Sequence, residues 1–125
     1  MLFKKNISCG VINGEVAISV RQKLQKDFQE KILSVMCMQL QTGKFGLNLS
    51  SASTAIYFSN SLNPDDRSQS EARIEHNLKK EPLLYIDLVS KNSIDEEILK
   101  TLKMKHRQSK FFLGQIVDQL KGKYD

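Results

Sequence analysis

The 125-residue chain is poor in the residues from which a self-contained catalytic site is built. Its two cysteines, Cys9 and Cys37, have no metal-ligand spacing around them. Both sit in apolar runs, so buried, reduced thiols of an intracellular protein are expected. Its two histidines, His76 and His106, have no nucleophile or ligand pattern nearby, so no catalytic residue and no metal site is assigned. No apolar run approaches the length of a membrane span, and Lys4-Lys5 is not followed by the long apolar core of a signal peptide. A cytoplasmic protein with no membrane partner is therefore expected. There is no G-x-x-x-x-G-K-[ST] phosphate loop, and no Asp-Glu pair follows an apolar strand to hold magnesium. Internal repeats and low-complexity segments are absent as well.

What is present suits one globular domain spanning residues 1–125, with a hydrophobic content of 40%. Lysine and arginine number 19 against 14 acidic residues, a net charge of +5. That excess permits nucleic-acid binding without establishing it. Four apolar runs read as buried strands: residues 7–12, 32–40 and 55–59, and the LLYIDLV run after Pro82. Helical patterns alternate with them. Residues 15–31 carry Val16, Val20, Leu24 and Phe28 at every fourth position. A second helix starts at Asn63-Pro64-Asp65-Asp66 and reaches about residue 77. Asn63 can cap it, Pro64 lacks only a donor the first turn does not use, and both Asp residues face the positive dipole end. Ser93 and Glu96 form a capping-box pattern before Ile94, Ile98, Leu99 and Leu102, and a last helix is expected over residues 108–120. The basic segment between those two helices either separates them or continues one into the other. Strands alternating with helices indicate an α/β fold: a mostly parallel sheet of about four strands with helices on both faces. Residues 93–125 are expected as a helical extension packing on it.

Residues 42–76 carry the informative motifs. The first is Gly43-Lys44-Phe45-Gly46-Leu47-Asn48-Leu49. The second is Gln69-x-x-x-Arg73 followed by His76, with the apolar strand run between the two. Order and spacing resemble the C-terminal, RecA-like lobe of Snf-type helicase-like ATPases of superfamily two. Such lobes carry a Gly-rich turn ending G-x-G-[LI]-N-L, a strand often ending in Asn-Pro, and a Q-x-x-x-R-x-x-R helix. Ser93 to Ile98 is similar to a further Thr-Ile-Glu-like element. The resemblance covers roughly residues 11–105. It implies that the family's opening strand and helix would precede Ile7.

By this resemblance, Gly43, Gly46, Asn48, Gln69, Arg73 and His76 line a nucleotide cleft, with Asn48 bonding across to the Gln/Arg helix. Thr42, Lys44, Lys79 and Lys80 fall where nucleic acid is met. Two arginines one helical turn apart suit the spread charge of phosphoryl transfer. Here Arg73 fills the first position, but His76 stands in the second, and neutral imidazole offers a single donor. Lys44 replaces a usual glycine and faces either phosphate or solvent. Lys100, Lys103, Lys105, Arg107 and Lys110 either meet nucleic-acid phosphates or form a solvated face. The resemblance implies no cofactor for the chain alone, and ATP only when it is paired with a first lobe. The expected partners are DNA, a separate helicase first lobe or another protein. A helicase-lobe scaffold reused as a protein-binding module or inhibitor, acting on a helicase or nuclease, is the alternative. A lobe without its opening strand should expose an edge or an apolar face and self-associate, most simply as a dimer.

Overall fold

Two β-α-β units form the sheet-bearing part of the chain in a computed structural model, which describes residues 2–75 and 80–124. The first unit is β1 (Cys9–Ile12), α1 (Ile18–Gln29) and β2 (Val35–Met38). The second is β3 (Thr54–Tyr57), α2 (Pro64–Ala72) and β4 (Leu84–Asp87). Within each unit the strands pair in parallel, Cys9 opposite Val35 and Thr54 opposite Leu84. The four expected strands are all present, and their alternation with helices makes the fold α/β. They form two two-stranded sheets rather than one continuous sheet. A 3-10 helix, Leu40–Phe45, joins the units, and a single helix α3, Ile94–Tyr124, follows β4. The basic segment is thus helical throughout, continuing one expected helix into the other.

Local chemistry explains the boundaries. Asn63 Oδ1 accepts from the Asp65 backbone N–H at 3.1 Å and caps α2 as expected, with Pro64 in the first turn. α1 starts later than the four-residue period suggested, because Asn13 closes a turn first. Its Oδ1 accepts from Glu15 N–H, and its carbonyl accepts from Val16 N–H. The shift rotates the expected face. Leu24 and Phe28 pack on the core, Val20 is exposed, and Arg21 is buried instead. Arg21 Nη2 donates to the carbonyls of Asn13 and Gly14, which ties the helix to that turn.

The core forms between the units. Ile12, Leu47, Leu49 and Ile74 are buried together, with Leu24, Phe28, Met36, Met38, Ala55 and Tyr85 packed around them. These residues lie on one face of the strands. The other face carries Val11, Ile56, Leu84 and Ile86, all exposed, so a large apolar surface stands uncovered among the described residues. Cys37 is on that open face. It is exposed and Cys9 is half-buried, so the expectation of two buried thiols fails; they lie free, with their Sγ atoms 3.5 Å apart. Burial first, then the bond to Cys9, pushes the Cys37 thiol pKa up.

Candidate nucleotide-cleft and nucleic-acid site

The Gly-rich turn and the arginine helix meet through the backbone. Leu40–Phe45 coils as a 3-10 helix, and Gly46 ends it in the left-handed conformation at φ 66°. A side chain there would be strained, which accounts for glycine at this position. A Cβ placed on Gly46 would lie 3.8 Å from Arg73 Nη1, so the guanidinium rests beside the turn. Three residues on, Leu49 N–H donates to the Arg73 carbonyl at 3.0 Å. Both strands of this contact are anchored by burial of Leu47, Leu49 and Ile74.

The remaining expected residues divide. Gly43 and Lys44 lie in the 3-10 helix. Gln69 and Lys80 are exposed. Asn48 does not bond across to α2: its Oδ1 accepts from Ser50 N–H, and its own N–H donates to Gln25 Oε1. A short polar side chain next to a turn closes that turn more readily than it spans a gap, and the link to α2 falls to the Leu49 backbone instead. Thr42, expected on nucleic acid, is 3% exposed, and its hydroxyl donates to the Gln39 carbonyl. The tight coil of the 3-10 helix turns it inward. His76 and Lys79 lie outside the described residues.

The sequence reading missed Arg67. Two residues ahead of Gln69, its Nε donates to Glu71 Oε1 and its Nη1 to Asp87 Oδ1, both at 2.6 Å. Nη1 also donates to Asn60 Oδ1, and the guanidinium stacks 3.5 Å over the Tyr57 ring. Burial opposes ionisation of Asp87, but the bonds from Arg67 and Asn60 outweigh it and hold the carboxyl below its usual range. Burial likewise disfavours the charged guanidinium, yet bonds to Asp87 and Glu71 raise its pKa. Burial raises the Tyr57 pKa, keeping the phenol neutral beside the Ser70 hydroxyl. The cluster fastens α2 to the ends of β3 and β4. No single-residue pattern marks it, since even Asn60 and Asp87, which bond directly, are 27 positions apart.

No group of three or more His, Cys, Asp or Glu side chains among the described residues could hold a metal ion, and no described helix is long and apolar enough to cross a membrane.

Comparison with known proteins identifies the family. The family model "Helicase conserved C-terminal domain" matches residues 1–77. The ATP-dependent helicase fft1 of Schizosaccharomyces pombe is 33% identical over 88 residues, 70% of this chain and 9% of that protein. The DNA repair and recombination protein RDH54 of Saccharomyces cerevisiae is 32% identical over 104 residues, 82% of this chain and 11% of that protein. The structure of the C-terminal part of the Fun30 ATPase domain superposes with a TM-score of 0.73 at 27% identity, covering 81% of this chain and 33% of that one. The chain thus spans about a tenth of the length of the curated relatives it matches. Its parallel-stranded α/β fold is that of a RecA-like, Snf-type C-terminal lobe, and the chain belongs to the helicase conserved C-terminal domain family.

Proposed function

We propose that this chain is an accessory nucleic-acid-binding module that does not hydrolyse ATP alone. The carrying observation is the Gly46 turn held against Arg73 in a sequence with no phosphate loop. Arg73 can offer charge to a phosphate, but nothing in this sequence cradles the other phosphates or holds magnesium. A separately supplied first lobe would have to provide both, and ATP would bind only in that pair. DNA is the proposed nucleic acid, because relatives are named for DNA repair and recombination. Exposed Lys80 and the exposed α3 residues Lys103, Lys105 and Arg107 supply positive charge for backbone contacts.

Phosphate release measured with and without DNA tests the first half. Turnover above a heat-inactivated control that is abolished by Arg73→Ala would refute it. DNA affinity measured across a salt series tests the second half. Log affinity should fall linearly with log salt, by about 0.9 per phosphate neutralised, without sequence preference. A sequence-specific complex that survives high salt would refute it.

The second reading is a protein-binding module on a helicase-lobe scaffold, with a helicase or nuclease as its target. The uncovered apolar face, with Phe58 at 83% exposure and Ile56 at 64%, favours it.

A further inference from the structure

The Asn13-Gly14 turn ahead of α1 does more than delay the helix. An asparagine amide followed by glycine can close on its own backbone. The glycine nitrogen loses its proton and attacks the asparagine Cγ, the Cγ–Nδ2 bond breaks, and ammonia leaves a cyclic imide behind. Water then opens the imide at either carbonyl. The products are aspartate and isoaspartate, whose backbone runs through the side chain. Net, water is consumed and ammonia released. Three conditions limit the rate: room for the nitrogen to approach, loss of its proton, and stabilisation of the negative charge that gathers on Oδ1 as Cγ becomes tetrahedral.

The turn meets all three. Gly14 is exposed, and even a Cβ added to it would meet nothing within 4 Å. Asn13 Oδ1 accepts from Glu15 N–H at 3.1 Å, which folds the amide back along the Gly14 peptide. That N–H therefore donates to the oxygen on which charge develops. The proton is the harder problem. A peptide nitrogen that loses it shares the negative charge with the carbonyl oxygen of the same peptide, here that of Asn13. This oxygen accepts from Arg21 Nη2 and from Val16 N–H, both at 3.3 Å. Nη2 also donates to the Gly14 carbonyl at 3.3 Å, which fixes the guanidinium at the turn. Arg21 is 6% exposed, so water screens its charge little. A cationic donor on the peptide oxygen favours the deprotonated nitrogen, and such bonds are about twice as strong as neutral ones.

We propose that Asn13 is a self-activated deamidation site: Arg21 eases deprotonation of the Gly14 nitrogen, and Glu15 N–H holds the developing charge on Oδ1. Conversion adds a negative charge beside the buried guanidinium. The isoaspartate form also lengthens the backbone of the turn that sets where α1 starts. A rigid fold ordinarily slows this reaction by keeping the chain from the imide geometry, whereas here folding speeds it. The site is independent of nucleotide and DNA binding.

The test incubates the 125-residue chain at neutral pH beside a synthetic peptide of residues 9–18, which keeps the dipeptide and lacks Arg21. Tandem mass spectrometry of digests follows amide loss at Asn13, and protein isoaspartyl methyltransferase labels the isomer. Asn13 should convert at least about fivefold faster in the folded chain than in the peptide, with isoaspartate among the products. Arg21→Gln should remove most of that advantage while circular dichroism stays unchanged. Gly14→Ala, for which there is room, should slow conversion because its methyl group stands beside the attacking nitrogen. If Arg21→Gln unfolds, the comparison of chain with peptide still decides. Equal or slower conversion in the folded chain would overturn the proposal. So would a folded Arg21→Gln variant that reacts as fast as the parent, a Gly14→Ala variant that does the same, or amide loss without isoaspartate.

Discussion

Arg67→Ala offers the most demanding check on how the second β-α-β unit is held. Arg67 is 15% exposed at its side chain, against 21% for Asp87 and 27% for Glu71. Removing it strands two half-buried carboxylates and uncovers the Tyr57 ring. Breaking a fully buried pair costs about 3–5 kcal/mol. The residual exposure of this cluster reduces that to about 2 kcal/mol, and the lost stacking over Tyr57 adds about 1 kcal/mol. With a urea slope of about 1.5 kcal/mol per molar, a loss of about 3 kcal/mol lowers the midpoint by about 2 M. Acid provides a second axis. The Asp87 pKa is depressed in the folded state from 3.8, so its contribution is present above that value and lost as pH falls through the lower, folded one. The gap between the parent chain and Arg67→Ala should be full at neutral pH and narrow below about pH 4. A deficit under about 1 kcal/mol at neutral pH, the value of an ordinary surface pair, would refute this account. So would a deficit that stays constant on acidification.

Four further substitutions probe local geometry. Asn63→Ala should cost about 1 kcal/mol in chemical denaturation through loss of the α2 cap; no change would mean that another group takes over Asp65 N–H. Gly46→Ala should cost about 1 kcal/mol because φ is positive, while Gly14→Ala, with open space around it, should be close to neutral; equal effects would remove the conformational explanation. Gly10→Ala places a Cβ 3.0–3.2 Å from Leu33, Met36 and Leu24, so its melting point should fall, by about 1–3 kcal/mol in stability terms; an unchanged transition would show that α1 can shift outward.

Much of the fold was legible because its signals are local. Asn63-Pro64-Asp65-Asp66 marks a helix start within four residues, and Gly46 marks a left-handed turn at a single one. The apolar runs that became β1 to β4 are contiguous. The misreadings arose where tertiary context decides. The four-residue period places a helix over residues 15–31, but the turn closed by Asn13 extends to Val16, which delays α1 and brings Arg21 inward. Cys9 and Cys37 sit in apolar runs, but burial of an apolar run depends on which face is covered, and here α1 and α2 lie over one face of the strands. Asn48 was assigned a partner in α2 by family pattern, whereas its own loop offers a nearer one. Arg67 draws Asn60, Glu71 and Asp87 from separate elements, and pattern alone could not assemble them.

The absence of a shared backbone ladder between the two β-α-β units has a consequence for the order of folding. Each unit closes its own strand pair, residues 9 with 35 and 54 with 84, over similar chain separations. Closure entropy is therefore similar for both, and neither has a topological head start. What makes them one cooperative body is side-chain packing through Ile12, Leu47, Leu49 and Ile74. Packing of this kind strengthens with warming from the cold and weakens on cooling. Near freezing the units should uncouple before either loses its own ladder, so cold would split this chain into two subdomains where heat melts it whole.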